Sequence, residues 1–188
     1  TTIILIIPIS EFVIQTIQYI LGKVVKPKLI PKMDFSKGID EENATFVVIP
    51  TIIKTKGKVQ ELFVKMEIFY LANKSQNLYF ALLGDCSEST TKEEKFDKEV
   101  IDEGLKQVEK LNKKYSNGEF PIFHFIYRER KFNKSEDKYL GWERKRGLLT
   151  QFNEYILKHE KNKFKINTID QEKLPKIKYV ITLDSDTE

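Results

Sequence analysis

Two carboxylates one residue apart, Asp184 and Asp186 with Ser185 between them, follow directly on the apolar run at 179–183 (YVITL). Hard oxygen ligands so spaced can converge on a Mg²⁺ or Mn²⁺ ion, which keeps several waters and shares the phosphates of a bound substrate. Such a cation can hold a diphosphate and neutralise its charge as it leaves. A bare D-x-D also arises as a solvated acidic turn, but its position past an apolar strand favours the chemical reading. Asp85 stands in the same relation to a second apolar run, 78–83 (LYFALL), with Gly84 between. A carboxylate there can accept hydrogen bonds from a nucleobase or ribose. A turn or helix-capping acid is the plainer alternative, given the Ser and Thr residues behind it. Pro50 and Thr51, after the run at 45–49, either line the same crevice or simply end a strand. The stretch 142–153 (WERKRGLLTQFN) gathers Arg144, Lys145 and Arg146 just before Gly147. Three cations at a helix start oppose the helix dipole, and an anion would offset them. That suits a phosphate or acidic partner, with a solvated basic turn as the alternative. Other reactive types promise less. His124 alternates within a strand and reads as an interior histidine, His159 as surface, and Trp142 as packing. Cys86 has no neighbouring partner that would make it a nucleophile.

The elements that must position these groups alternate. Apolar runs at 45–49, 78–83, 122–127 and 179–183 read as strands. Residues 57–72, 97–115 and 143–158 carry apolar side chains at helical spacing. In 97–115 the inward set is Val100, Ile101, Leu105, Val108 and Leu111; in 143–158 it is Leu148, Leu149, Phe152 and Ile156. Continuous apolar strands separated by helices predict an α/β fold, a mainly parallel sheet covered on both faces. Ligands of such sheets sit outside the carboxyl ends of the strands, where the chemically promising residues fall, together with Arg128 to Arg130.

A length of 188 residues fits one domain with an appendage, and a single cysteine excludes a disulfide framework or a four-thiolate zinc site. The 32 Lys and Arg stand against 28 Asp and Glu. That near balance, without a recognised motif, argues against nucleic acid as a partner. The first residue is not methionine and the chain stops just past an apolar strand, so a piece of a larger protein is expected.

Residues 1–25 form the most apolar segment and lack the grammar of a signal peptide. From Ser10, read as an N-cap, the pattern is helical, with Glu11, Gln15, Gln18 and Gly22 on one stripe. It suits the end of a transmembrane helix whose polar stripe meets protein, an amphipathic helix at a membrane interface, or an ordinary soluble one. Lys23, Lys26, Lys28 and Lys32 come next with no acid before Asp34, a flank that would put the rest of the chain in the cytoplasm. Pro27 and Pro31 give an extended connector. The organisation expected is therefore a membrane-associated helix at 1–25, a connector at 26–44 and a ligand-binding domain at 45–188.

Taken together, PISEFVIQTIQYIL, MDFSKGIDEENATFVVIPT, VQELFVKMEIFYLAN, LYFALLGDCSE, YLGWERKRG with its following FN, and KLPKIKYVITLDSDTE resemble the glycosyltransferase portion of cyclic β-1,2-glucan synthases, in that family's order. GWERKRG and YVITLDSDT are the most specific. The resemblance implies the donor-binding half of an inverting, GT-A type glycosyltransferase with a Rossmann-like layer. UDP-glucose would be the donor and a growing β-1,2-glucan the acceptor. It implies that Asp85 faces the nucleoside and that Asp184 and Asp186 hold ribose and a Mg²⁺ or Mn²⁺ ion. It also implies a location at the bacterial inner membrane, with the domain on the cytoplasmic side and the remainder of a parent polypeptide as partner. One departure stands out. Related enzymes carry Gly-Lys where this chain has Gly147-Leu148, so Lys145 or Arg146 would have to supply the cation. The catalytic base would lie beyond Glu188, and the chain by itself would then be inactive; with Leu148 at the lysine position, a non-catalytic nucleotide-sugar-binding module of the same fold is the alternative.

Overall fold

The computed structural model describes residues 2–28, 30, 34–116, 118, 120–158 and 164–186. Pro31, Lys32, His159 and Glu188, named in the sequence reading, lie outside them. The chain divides into two units, Thr1–Ser36 and Lys37–Glu188.

The first unit is built on helix α1 (Thr2–Val24). Ser10 does not cap it. The apolar run before Ser10 is already helical and passes through Pro8, and Ser10 Oγ donates to the Ile7 carbonyl at 2.7 Å. Residues Leu5–Val24 have a mean hydropathy of 1.5, long and apolar enough to cross a membrane by length and composition.

The second unit is an α/β layer. Its elements are β1 (Thr45–Ile52), α2 (Lys56–Ala72), β2 (Leu78–Asp85), α3 (Lys95–Tyr115), β3 (Phe123–Tyr127), β4 (Lys131–Asn133), β5 (Lys138–Leu140), α4 (Arg144–Lys158), β6 (Ile166–Asn167) and β7 (Tyr179–Thr182). Among the described residues, five strands form one sheet in the order β6-β3-β2-β1-β7. β3, β2, β1 and β7 are parallel, and only β6 runs antiparallel. This is the mainly parallel sheet that the alternating pattern predicts, and it is consistent with the Rossmann-like layer that the resemblance implies.

The central strands β1, β2 and β3 are mostly apolar because both faces are covered. Val47, Ile49, Phe80, Leu82, Phe123 and Phe125 point into one core, with Leu62 and Met66 of α2 and Val100 and Val108 of α3. Phe46, Val48, Ala81, Leu83 and Ile126 point into the other, with Leu148, Phe152 and Ile156 of α4. Leu105, expected inward, is instead exposed. Gly104 takes the place beside the sheet, where a Cβ would collide with the Phe125 ring, so α3 lies closer to β3 than a side chain would allow. Leu149 is half-buried beside α4's core face.

The apolar run alone predicts that β1 stops before Pro50, yet it continues to Ile52. The sheet geometry explains why. Val48 accepts a hydrogen bond from Leu183 on the β7 side, and Pro50, two residues on, faces that same side. β7 ends opposite Val48, so the missing N–H of Pro50 removes no ladder bond.

His124 is fully buried; Nε2–H donates to the Pro121 carbonyl at 2.8 Å and the ring stacks on Phe120. Burial pushes its imidazole down to about 4. An unfolded chain has an ordinary histidine near 6.5. Between these values only the unfolded chain takes the proton, so stability is lost as pH falls from about 6.5 through about 4. The expected loss approaches roughly 3 kcal/mol. Urea unfolding across that range should show the slope in the parent and a much flatter one in His124→Gln. Equal slopes would assign the acid sensitivity to other groups.

Candidate functional site

β2 and β3 lie on one side of β1, and β7 on the other. The strand order therefore reverses between β1 and β7, and the crevice outside their carboxyl ends is the usual ligand position of an open α/β sheet. Asp184, Ser185 and Asp186 leave β7 there. Two lysines from helices on opposite faces of the sheet hold this segment. Lys65 of α2 donates to the Ser185 carbonyl at 3.0 Å, and Lys145 of α4 forms an ion pair with the Asp184 carboxylate. Asp184 and Asp186 are both exposed. The Lys145–Asp184 pair is half open to solvent, so it adds little to stability; its importance is that an ammonium already sits on a carboxylate of the acidic pair.

Asp85 and the basic turn meet through a residue whose part was not legible in sequence. The β2–β3 register sets Gly84 beside Tyr127, so Asp85, the last residue of β2, and Arg128, the first after β3, come together at the strand ends. Arg128 donates to both Asp85 oxygens, Nε to Oδ1 at 3.0 Å and Nη2 to Oδ2 at 2.7 Å. The guanidinium reaches on to the turn before α4, donating to the Trp142 carbonyl at 2.9 Å and the Arg144 carbonyl at 3.1 Å. Asp85 Oδ1 also accepts from the Cys86 N–H at 2.9 Å. Both Asp85 and Arg128 are buried, so the Asp85 carboxylate holds the guanidinium that holds the turn.

The glycines of GWERKRG follow from the same packing. A Cβ on Gly141 would collide with the Arg128 guanidinium and the Asp85 carboxylate, and one on Gly147 with the Trp142 carbonyl. Between them Glu143 and Arg144 adopt positive φ of 47° and 48°, a conformation costly for residues with side chains. Arg128's two bonds to the flanking carbonyls offset that cost. The turn so fixed sends Lys145 to Asp184, while Arg146 pairs with Glu143 three residues before it.

A second buried pair lies beside the first. Arg130 pairs with Asp97 in the first turn of α3 and donates to the Ser87 carbonyl at 2.7 Å. Burial alone would raise the Asp97 carboxyl, but Arg130, the Glu94 N–H and the Tyr127 hydroxyl hold it below the usual range. Cys86 is buried next to Asp85, and burial first, then that carboxylate, pushes its thiol up to about 12. It stays a thiol at neutral pH, in line with the absence of a nucleophilic role.

A cleft of about 90 Å³ opens at the carboxyl ends of β1 and β2, lined by Ile52, Lys54, Cys86, Ser87, Glu88, Leu140, Gly141 and Arg144. Thr51 is half-buried one residue before its edge, and Pro50 is buried within β1. Among the described residues no three of His, Cys, Asp and Glu converge as a closed metal cage. Asp184 and Asp186 are exposed, and the Asp184 carboxylate is already paired with the Lys145 ammonium. Leu148, where the resemblance leads one to expect lysine, is fully buried against the sheet. Lys145, three residues earlier, brings the cation to the acidic pair.

No protein-family model matches the chain. It is 32% identical over 182 residues to a cyclic beta-(1,2)-glucan synthase, NdvB, of Rhizobium meliloti. The match takes in 96% of this chain and 6% of the length of that protein. That identity runs through nearly every element of the fold, so the chain is similar along its length to a short segment of that cyclic beta-(1,2)-glucan synthase.

Proposed function

We propose that the chain forms the donor end of a GT-A type, inverting glucosyltransferase that uses UDP-glucose to extend β-1,2-glucan. It would work on the cytoplasmic face of a bacterial inner membrane, with α1 as a membrane segment and the rest of a longer polypeptide as partner. One arrangement carries the reading: the exposed Asp184–Asp186 pair at the strand-order reversal, with Lys145 reaching Asp184. In this reading Asp184 and Asp186 hold ribose and a Mg²⁺ or Mn²⁺ ion, and Lys145 binds the diphosphate. Thr51 and Pro50 back the nucleoside cleft, and Asp85 serves it by holding Arg128 and the turn. Arg146, turned to Glu143, is secondary to Lys145. When bound, the cation would neutralise charge on the departing diphosphate. A carboxylate to deprotonate the acceptor hydroxyl would come from outside these residues.

Calorimetric titration of UDP tests the reading. Affinity should rise when Mn²⁺ replaces chelator, and the increment should vanish in Asp186→Ala. Equal affinity with and without the ion, in a folded chain, would overturn it.

A further inference from the structure

An open groove of about 950 Å³ lies on the second unit between the β4–β5 hairpin and α4, and shares Leu140 and Arg144 with the small cleft at the strand ends. Its size suits a ligand of several rings. Two aromatic side chains line it, Phe132 and Trp142, each about half exposed. Both are held from behind. Phe132 packs on Tyr139 across the hairpin with ring centroids 5.2 Å apart. Trp142 has its carbonyl bound by Arg128, with Gly147 packed so close beneath that a Cβ there would collide. Rigid, half-exposed rings offer apolar faces to a ligand at little ordering cost.

The charges around the groove cancel. Lys131, Lys134 and Arg144 stand against Glu136, Glu143 and Glu154. A phosphate-rich or acidic ligand would find no net attraction there, whereas a neutral, hydroxyl-bearing one would find donors and acceptors of both kinds. Gln151 adds a buried side-chain oxygen with no hydrogen-bond partner among the described residues. Sugars answer this description: each pyranose ring has an apolar face of C–H groups and a rim of hydroxyls.

We propose that this groove binds a chain of neutral pyranose units, stacking on Phe132 and Trp142. Resting on the donor function already proposed, that chain is the glucan acceptor. The turn that carries Trp142 at the groove also carries Lys145 to Asp184, so one backbone segment joins the saccharide groove to the donor end.

The molecule contains its own reporter, because Trp142 is the single tryptophan. The full 188-residue chain in detergent is titrated with a β-1,2-linked gluco-oligosaccharide while Trp142 emission is followed. A saturable blue shift is expected. Phe132→Ala should weaken the apparent affinity by about 3- to 10-fold, and Phe132→Tyr, which keeps the ring, should restore it. No shift in a chain that binds UDP would overturn the groove and leave the donor reading standing. A shift in a chain that fails to bind UDP would support the groove and sink the donor reading. A shift untouched by Phe132→Ala would overturn the groove, since Trp142 would then be reporting a ligand elsewhere.

Discussion

Arg128→Ala is expected to lower unfolding stability by about 3–5 kcal/mol, the usual cost of leaving one charge of a buried pair without its partner. The side chains of Arg128 and Asp85 are 2% and 3% exposed, so solvent cannot take over either role. Asp85→Asn should fall in the same range, because the guanidinium then remains buried beside a neutral amide. Removing both charges with Asp85→Leu and Arg128→Met is more telling. A plain buried pair often tolerates apolar replacement. Here the double variant should recover only in part, because the Trp142 and Arg144 carbonyls still lose their donor. Urea denaturation of the four proteins measures this directly. Full recovery in the double variant would mean that the pair supports only itself and does not pin the turn. The single variants should also weaken UDP binding, since a loosened turn no longer delivers Lys145 to Asp184.

The sheet was legible because its signal is local. Runs such as 46–49 and 80–83 are apolar at every position, which only strands covered on both faces require. The β4–β5 hairpin was not. Each of its strands has three residues, and three of the six are lysine or asparagine, so no apolar run marks it. The start of α1 was hidden for a related reason: Ser10 has the chemistry of a cap, and only the helix already running before it shows that the hydroxyl turns back to Ile7.

The site divides in the same way. Asp184, Asp186 and the basic turn stand out in sequence because acids and cations cluster within a few residues. The bond between Asp85 and Arg128 joins positions 43 residues apart, and it depends on the register of two strands. Position relative to strand ends gave both residues separately, and nothing in their spacing paired them. The hairpin that was invisible in sequence also supplies Phe132 to the saccharide groove. The acceptor side of the proposed chemistry therefore emerged only with the structure, whereas the donor side was readable beforehand.

Lys145 separates the functions of cation and carboxylate, and its replacement should move two affinities in opposite directions. Free of ligand, its ammonium neutralises Asp184, so it competes with any metal ion for that carboxylate. In Lys145→Ala, Mn²⁺ alone should bind as well as in the parent or better. UDP-glucose in the presence of Mn²⁺ should bind about 10- to 100-fold more weakly, because the diphosphate loses a charge-assisted contact. Asp184→Asn should show the other pattern, weakening Mn²⁺ and UDP-glucose together. Arg146→Ala should change neither, its guanidinium being paired with Glu143 and largely in solvent. Calorimetric titration of the three variants with Mn²⁺ alone, then with UDP-glucose at saturating Mn²⁺, separates these outcomes. If Lys145→Ala leaves UDP-glucose affinity intact while Arg146→Ala lowers it, the turn must rearrange on binding, and Arg146 is the residue that meets the phosphates. If neither variant affects UDP-glucose while Asp184→Asn does, the basic turn serves only to hold the acidic segment, and the diphosphate is bound through the cation without help from α4.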